Sequence, residues 1–175
     1  RIARGALPPG ADCTIESRTA NAISRARSRV APAIARRCTD PVVTGLVFGD
    51  ACYGSTSVGE LASCQVEVHE EQALRLIDTL FDAMGAVNGA QRECQKTAAV
   101  QAERFAFRKH DLLRQCKDKV AKGKLPADTD CDAQTNAQLA KVRAAAAAKI
   151  AAKCSDATVA SMAFATPCTG VTTSN

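Results

Sequence analysis

The sequence predicts an all-α protein, in which antiparallel helical hairpins or a bundle are stapled by disulfide bonds. Two observations support this fold class. Long alanine-rich, charged stretches lack the alternating β-branched residues of strands, and cysteines bracket two of those stretches at nearly equal spacing. A third observation is internal similarity at an offset of about 118 residues. It predicts a repeat, which the chain enters and leaves partway through a unit.

The two bracketed stretches predict one antiparallel helical hairpin. Cys94 and Cys116 flank the first stretch, and Cys131 and Cys154 flank the second after the break at 123–126. As helices the two stretches span roughly 33 and 35 Å, so no disulfide can join the two ends of one stretch. Antiparallel pairing predicts instead two bonds between the stretches, Cys94–Cys154 and Cys116–Cys131.

Two segments of the chain are similar to two later ones. Residues 1–13 match residues 119–131 and share a Leu-Pro pair and a cysteine. Residues 38–54 match residues 154–170 and share two cysteines and a phenylalanine, with an offset of 116 instead of 118. The alternative is a chance similarity of basic, alanine-rich helices, but the aligned cysteines favour a repeat.

The nine cysteines include no C-x-x-C motif and predict an oxidising compartment, with the protein secreted or at the cell surface. If the two hairpin bonds form, the pair that remains in the unit is Cys52 and Cys64, twelve residues apart. The repeat register assigns the remaining three cysteines to bonds with neighbouring units or other copies: Cys13, Cys38 and Cys168. Another connectivity is the alternative, because sequence alone does not define disulfide pairing.

The helices follow in order along the chain. The first is basic and extends from about Thr14 to Arg37, and we expect Pro32 to kink or interrupt it. The second is acidic and begins near Val58, after the Ser57–Glu60 spacing of a capping box. We expect this helix to continue to about residue 86.

The last two helices form the predicted hairpin, over about 91–122 and 132–153. The first of them carries a near-heptad seam: Ala99, Ala102, Ala106, Leu113, Cys116 and Val120. The chain is thus expected to divide into four parts. These are the end of a first unit (1–54), an acidic helix (55–90), a stapled hairpin with the cysteine loop of a second unit (91–170), and a loose tail (171–175).

One acidic segment has part of a calcium-loop pattern. Asp128, Asp130 and Asp132 alternate as calcium ligands do, but Ala133 and Leu139 replace the glycine and glutamate expected at the sixth and twelfth positions. The alternative, which we favour, is that these carboxylates cap the start of a helix.

Motifs for other chemistry are missing from the sequence. His69 and His110 lack the second histidine of a zinc pattern, and there is no haem-attachment, nucleophile-elbow or phosphate-loop motif. We therefore expect no catalytic residue, cofactor or metal site. The net charge of +5 permits contact with acidic polymers, but no aromatic residues interleave to stack on bases, so nucleic acid is not an expected partner. No apolar run reaches the ~20 residues of a membrane span.

The loops after the basic helices share a Cys-x-Gly motif, Cys52-Tyr-Gly54 and Cys168-Thr-Gly170, and Glu60 begins a Glu-Leu-Ala-x-Cys motif. This pattern resembles uncharacterised secreted cysteine-rich α-helical repeat proteins predicted from environmental bacterial genomes. The resemblance implies an extracytoplasmic helical repeat and brings no catalytic residues.

The functional hypothesis is an extracellular structural or scaffold protein, a surface or filament-type assembly whose partners are copies of itself or adjacent repeat units. We do not expect an enzyme. The alternative is a secreted helical binding module for an apolar ligand or a partner protein. In that case the following apolar residues would line its cavity: Leu76, Leu80, Phe81, Met84, Phe105 and Phe107.

Overall fold

The computed structural model describes residues 12–46, 48–81 and 87–162. The described residues are helical and contain no strand, which confirms the all-α prediction. The α-helices are α1 (Ser17–Ala35), α2 (Asp40–Thr44), α3 (Val58–Phe81), α4 (Gly89–Ala121), α5 (Cys131–Ala151) and α6 (Asp156–Ala160), with a 3-10 turn at Asp50–Cys52. The chain divides into two compact units, Arg1–Arg75 and Leu76–Asn175.

Helix α1 begins at a local cap and continues through its proline. The Glu16 carboxylate accepts a hydrogen bond from the Thr19 N–H, which satisfies one of the unpaired donors of the first turn. Pro32 lies inside the helix, which continues to Ala35, so the helix is not interrupted there and a kink stays a prediction. Proline removes one hydrogen bond of the ladder, and the Arg36 N–H still reaches the Pro32 carbonyl at 3.3 Å.

The core of the first unit lies around α2 and the start of α3. Val43, Cys52 and Leu61 are buried together. Partly buried side chains pack against them from the surrounding elements: Ile34, Cys38, Phe48, Val58, Cys64 and Val68. Apolar groups from four parts of the sequence are thereby removed from water, which is the main stabilising contribution here.

Hydrogen bonds hold α2 against the start of α3. The Asp40 carboxylate accepts from the Val58 N–H at 2.8 Å. The Thr44 hydroxyl donates to the Thr56 carbonyl at 2.9 Å. Because both bonds satisfy backbone groups at a helix terminus or in a loop, they position the loop that contains Cys52.

The predicted capping residues of α3 are used, in a modified form. The Ser57 hydroxyl accepts from the Glu60 N–H, as a capping box requires. The Glu60 carboxylate accepts from both the backbone N–H and the hydroxyl of Thr56, which lower the pKa of Glu60 below its ordinary value. Helix α3 begins at Val58 as expected, and its predicted end near residue 86 lies outside the described residues.

In the second unit, α4 ends in a glycine-dependent turn. The Lys124 N–H donates to the Lys119 carbonyl, and the Gly123 N–H donates to the Val120 carbonyl. This pair of bonds is the Schellman motif, which places the residue after the C-cap in the left-handed region. Gly123 occupies that position with φ of 65°, a conformation that a side chain disfavours.

The buried face of α4 does not follow a heptad. Cys94 and Leu112 are both buried and are 18 residues apart, which is five complete turns of a straight helix. Leu113, which the heptad seam assigns to the interface, lies about 100° further round the helix and is only half-buried. Ala106, which the seam also assigns to the interface, is exposed, so the predicted seam is wrong at that position, whereas Cys116 is buried as the seam predicts.

Candidate functional site

Three cysteine pairs form disulfide bonds, and they are the same three pairs that the sequence spacing predicts. Their Cα–Cα distances are 5.6 Å for Cys52–Cys64, 4.9 Å for Cys94–Cys154 and 5.7 Å for Cys116–Cys131. All three distances lie in the normal range for disulfides. Of the other cysteines, Cys13 is exposed, Cys38 is a half-buried thiol, and Cys168 lies outside the described residues.

Helices α4 and α5 pack against each other, and two of these bonds link α4 to the start of α5 and to the residues just after its end. Cys116–Cys131 lies beside the connection between the two helices, and Cys94–Cys154 lies at their other ends. The buried side chains of α5 that belong to this unit's interior are Cys131, Thr135 and Leu139. Two covalent links about a helix length apart restrict both sliding and separation of the helices.

The end with Cys94–Cys154 has its own small core. Both cysteines are almost completely buried, together with Val159 and Met162, and Ile150 packs against them. This core ties α6 to the ends of α4 and α5, and it keeps the disulfide away from dissolved reductants.

Polar contacts of α4 reinforce this arrangement. The Gln91 side chain donates to the carbonyl and the hydroxyl of Ser161. It also completes a capping box with Asn88 at the start of α4. The Asn-x-x-Gln spacing is a local sequence pattern from which this cap could be predicted, whereas nothing local in the sequence indicates the contact with Ser161, 70 residues away.

The backbone around Cys38 repeats the backbone around Cys154. Helix α1 ends at Ala35 and α5 at Ala151, and the short helices that follow span residues 40–44 and 156–160. Both pairs of elements are thus offset by 116 residues, which is the offset of the aligned cysteines.

The hydrogen bonds of the two segments correspond as well. The N–H groups of Cys38 and Cys154 donate to Ile34 and Ile150 at 2.9 and 2.8 Å, respectively. Further on, Val43 and Val159 occupy the same position of the short helix and are 0% and 3% exposed. In each segment the cysteine and the valine therefore occupy the same positions of one backbone pattern, a helix end followed by a five-residue helix. We call this pattern, residues 34–44 and 150–160, the backbone frame.

Cys154 and Cys38 differ in their bonding. Cys154 is 1% exposed and is bonded to Cys94 of α4. Cys38 is a half-buried thiol that packs against the cluster of Val43, Cys52 and Leu61. The frame that carries an interhelical disulfide in the second unit thus carries a thiol in the first.

Helix α1 also carries a strong positive charge. It contains four arginines and no acidic residue. Arg18 and Arg25 border an open depression of about 310 Å³ that Asn21 and Ser24 also line. The depression is shallow and polar.

One of the α1 arginines is held by α3. Arg27 forms a two-pronged ion pair with Glu70, in which Nη2 donates to Oε2 at 2.7 Å. This hydrogen bonding lowers the pKa of Glu70 below its ordinary value, because it stabilises the charged form of the carboxylate. The two residues are 43 positions apart, and sequence reasoning did not pair them.

The acidic segment before α5 acts as a helix cap. The Asp130 carboxylate accepts hydrogen bonds from the N–H groups of Asp132 and Ala133, at 2.9 and 3.1 Å. In the described parts of the chain, no three His, Cys, Asp or Glu side chains are grouped so that they could hold a metal ion.

The capping role predicts a measurable effect. We expect Asp130→Ala to lower the free energy of unfolding by about 1 kcal/mol, because two N–H groups of the first turn lose their acceptor. Asp128→Ala removes a neighbouring carboxylate without removing the cap, and we expect a change within about 0.5 kcal/mol. Denaturation curves of both variants, recorded with all disulfides intact, would test this. Equal losses for the two variants would assign the effect to overall charge.

Within the described residues, none of the helices is both long and apolar enough to cross a lipid bilayer. Comparisons with protein families, with curated proteins and with solved structures find no match for this chain.

Proposed function

We propose that this chain is a structural protein of an oxidising, extracytoplasmic compartment, whose disulfide-stapled helical units assemble with one another. The observation that carries the proposal is the matched pair of backbone frames around Cys38 and Cys154. One frame is closed by a disulfide to a neighbouring helix, and the other presents a thiol.

In this proposal α4 and α5 are an antiparallel hairpin, and the hairpin is one part of a repeat of about 118 residues. Helices α1 and α2 are the counterparts of α5 and α6 in the preceding unit. The equal offsets of the helix ends and of the buried valines support this assignment. Repeat units of this kind are stabilised by contacts with their neighbours, so association follows from the architecture.

The disulfides suit such a role. Three bonds within one chain are compatible with an oxidising location. Each of them constrains the unfolded chain by roughly 3–4 kcal/mol in the chain-entropy model. A protein that is exposed to proteases and dilution outside the cell remains folded more of the time when its unfolded state is constrained in this way.

A non-reducing peptide map of the native protein, combined with its mass in solution, tests the proposal. We expect an oligomer that reductant converts to smaller species. Cys38 should be found in a bond to another copy or another unit, and the same map follows Cys13 and Cys168. The matched control replaces these three cysteines by serine, which should give a folded monomer that keeps the other three disulfides.

A monomer in which eight of the nine cysteines are paired within the chain, or a monomer in which Cys38 is quantitatively alkylated by iodoacetamide, would contradict the proposal. The chain would then be a self-contained domain.

No second function is proposed. The apolar-ligand alternative requires the aromatic residues of α4 to enclose a cavity. Phe107, however, is 75% exposed, and Phe105 contacts the Arg143 guanidinium, which lies 5.9 Å from the ring centroid. Phe81 and Met84, which this alternative also uses, lie outside the part of the chain whose side chains are described.

A further inference from the structure

One face of α1 corresponds, residue by residue, to the face of α5 that lies in the interior of its unit. With the offset of 116 residues, Thr19 and Ile23 correspond to Thr135 and Leu139. Val30 and Ile34 continue the same face toward Cys38. Residues at these spacings lie on one side of a helix.

The corresponding positions differ in how much water they contact. Thr135 and Leu139 are buried, whereas Thr19 is exposed and Ile23 is half-buried. Along its whole length α1 contains no buried residue. Helix α3 reaches α1 through the ion pair of Arg27 with Glu70, and Thr19 and Ile23 still remain more accessible than their counterparts on α5. Ile34, at the other end of this face, packs against the core of its unit as Ile150 does in the second unit.

The structure also shows what covers this face elsewhere. On α5 the covering element is α4, which packs against it and bonds to Cys154 through Cys94. On α5, the face and the backbone frame that correspond to those of α1 therefore have an observed partner, the helix α4.

We infer that the face of α1 formed by Thr19, Ile23, Val30 and Ile34 binds a helix of the α4 type. This helix is contributed by a further unit of the repeat, and Cys38 forms a disulfide with the cysteine near its N-terminal end. The inference rests on the proposed function and specifies the contact by which the units join. In it, Cys38 is the counterpart of Cys154, and the incoming helix takes the place that α4 has beside α5.

Formation of the bond requires an oxidant, and a small disulfide such as oxidised glutathione supplies it. The Cys38 thiolate attacks the small disulfide and displaces one small thiolate, which leaves a mixed disulfide on Cys38. The thiolate of the incoming helix then attacks the Cys38 sulfur and displaces the second small thiolate. Two protein thiols are oxidised and one small disulfide is reduced to two thiols, and the two displaced small thiolates take up the two protons that the protein thiols lose.

The experiment uses the full chain and a synthetic peptide of residues 89–121 that carries Cys116→Ser, so that its one thiol is at position 94. A second peptide has the same composition and the same cysteine position, but a shuffled sequence. Each peptide is incubated with the chain in a glutathione redox buffer, and the products are mapped by mass spectrometry. We expect the α4 peptide to be captured at Cys38 at least about tenfold more than the shuffled peptide, an equilibrium difference typical of a packed interface.

A pair of variants tests the face itself. Ile23→Glu places a charge in the proposed interface and should reduce capture about tenfold. Ser28→Glu places the same charge on an exposed part of α1, away from this face, and should leave capture unchanged. Circular dichroism of both variants checks that α1 remains helical. The comparison of the two peptides on the unmodified chain remains decisive if Ile23→Glu unfolds.

Equal capture of the two peptides, no capture, or a Cys38–Cys38 bond between two chains would overturn the inference. These outcomes are distinct from failure of the proposed function. Suppose that the native oligomer is linked through Cys13 or Cys168 and that Cys38 does not capture the α4 peptide. The proposed assembly of units would then stand, and the proposed contact between α1 and a helix of the α4 type would be wrong.

Discussion

Replacing both Cys94 and Cys154 by alanine is expected to lower the free energy of unfolding of the second unit by about 4 kcal/mol. This bond joins residues 60 positions apart, the longest of the three loops that disulfides close. A longer loop loses more entropy when it is closed in the unfolded chain, so its removal costs more. Both sulfurs also pack in the core with Val159 and Met162, and their loss leaves a small void there.

The two other disulfides provide matched controls. The Cys116→Ala and Cys131→Ala double variant opens a loop between residues 15 positions apart and should cost about 3 kcal/mol. The Cys52→Ala and Cys64→Ala double variant lies in the first unit and should leave the protection of α4 and α5 unchanged. Native-state hydrogen exchange, read peptide by peptide, measures each unit in the full chain.

The order of the two effects in the second unit is the critical result. A smaller loss for the Cys94–Cys154 pair than for the Cys116–Cys131 pair would mean that the ends of α4 and α5 separate without consequence. The small core around Cys154 would then not stabilise the unit.

Leu112→Ala is expected to lower the free energy of unfolding by about 2–4 kcal/mol, the usual range for a leucine truncated in a core. Leu112 is 5% exposed, and its neighbour Leu113 is half-buried. Leu113→Ala should therefore cost about 1 kcal/mol. The two variants remove the same atoms from adjacent positions of one helix, so differences in helix propensity cancel. Urea denaturation with the disulfides intact measures both.

The opposite order would show that α4 presents its heptad face to α5. In that case Leu113, Cys116 and Val120 would form the contact, and α4 would supercoil around its partner. Equal effects would indicate that α4 packs on both sides.

The sequence was sufficient wherever the physical cause is local or depends on spacing along a helix. Equal spacing of cysteines around a break is enough to suggest which sulfurs can meet, because a helix has a fixed rise per residue. The start of α3 at Val58 and the turn at Gly123 follow from capping side chains and from a glycine that tolerates positive φ. Because capping and turn formation depend on residues close together in the sequence, a local sequence pattern is enough to predict them.

Tertiary structure decided the features that depend on distant parts of the chain. The pairing of Arg27 with Glu70 and the contact of Gln91 with Ser161 have no local signature. Whether Leu112 or Leu113 is the buried leucine depends on whether α4 stays straight or supercoils. Adjacent residues of a helix point in directions about 100° apart, so a rotation of that size would bury the other leucine. Likewise, only the folded backbone shows that Cys38 and Cys154 share one frame while one is a thiol and the other a disulfide. Burial and pairing across a core arise from the way the elements pack together, and that packing is a property of the whole fold.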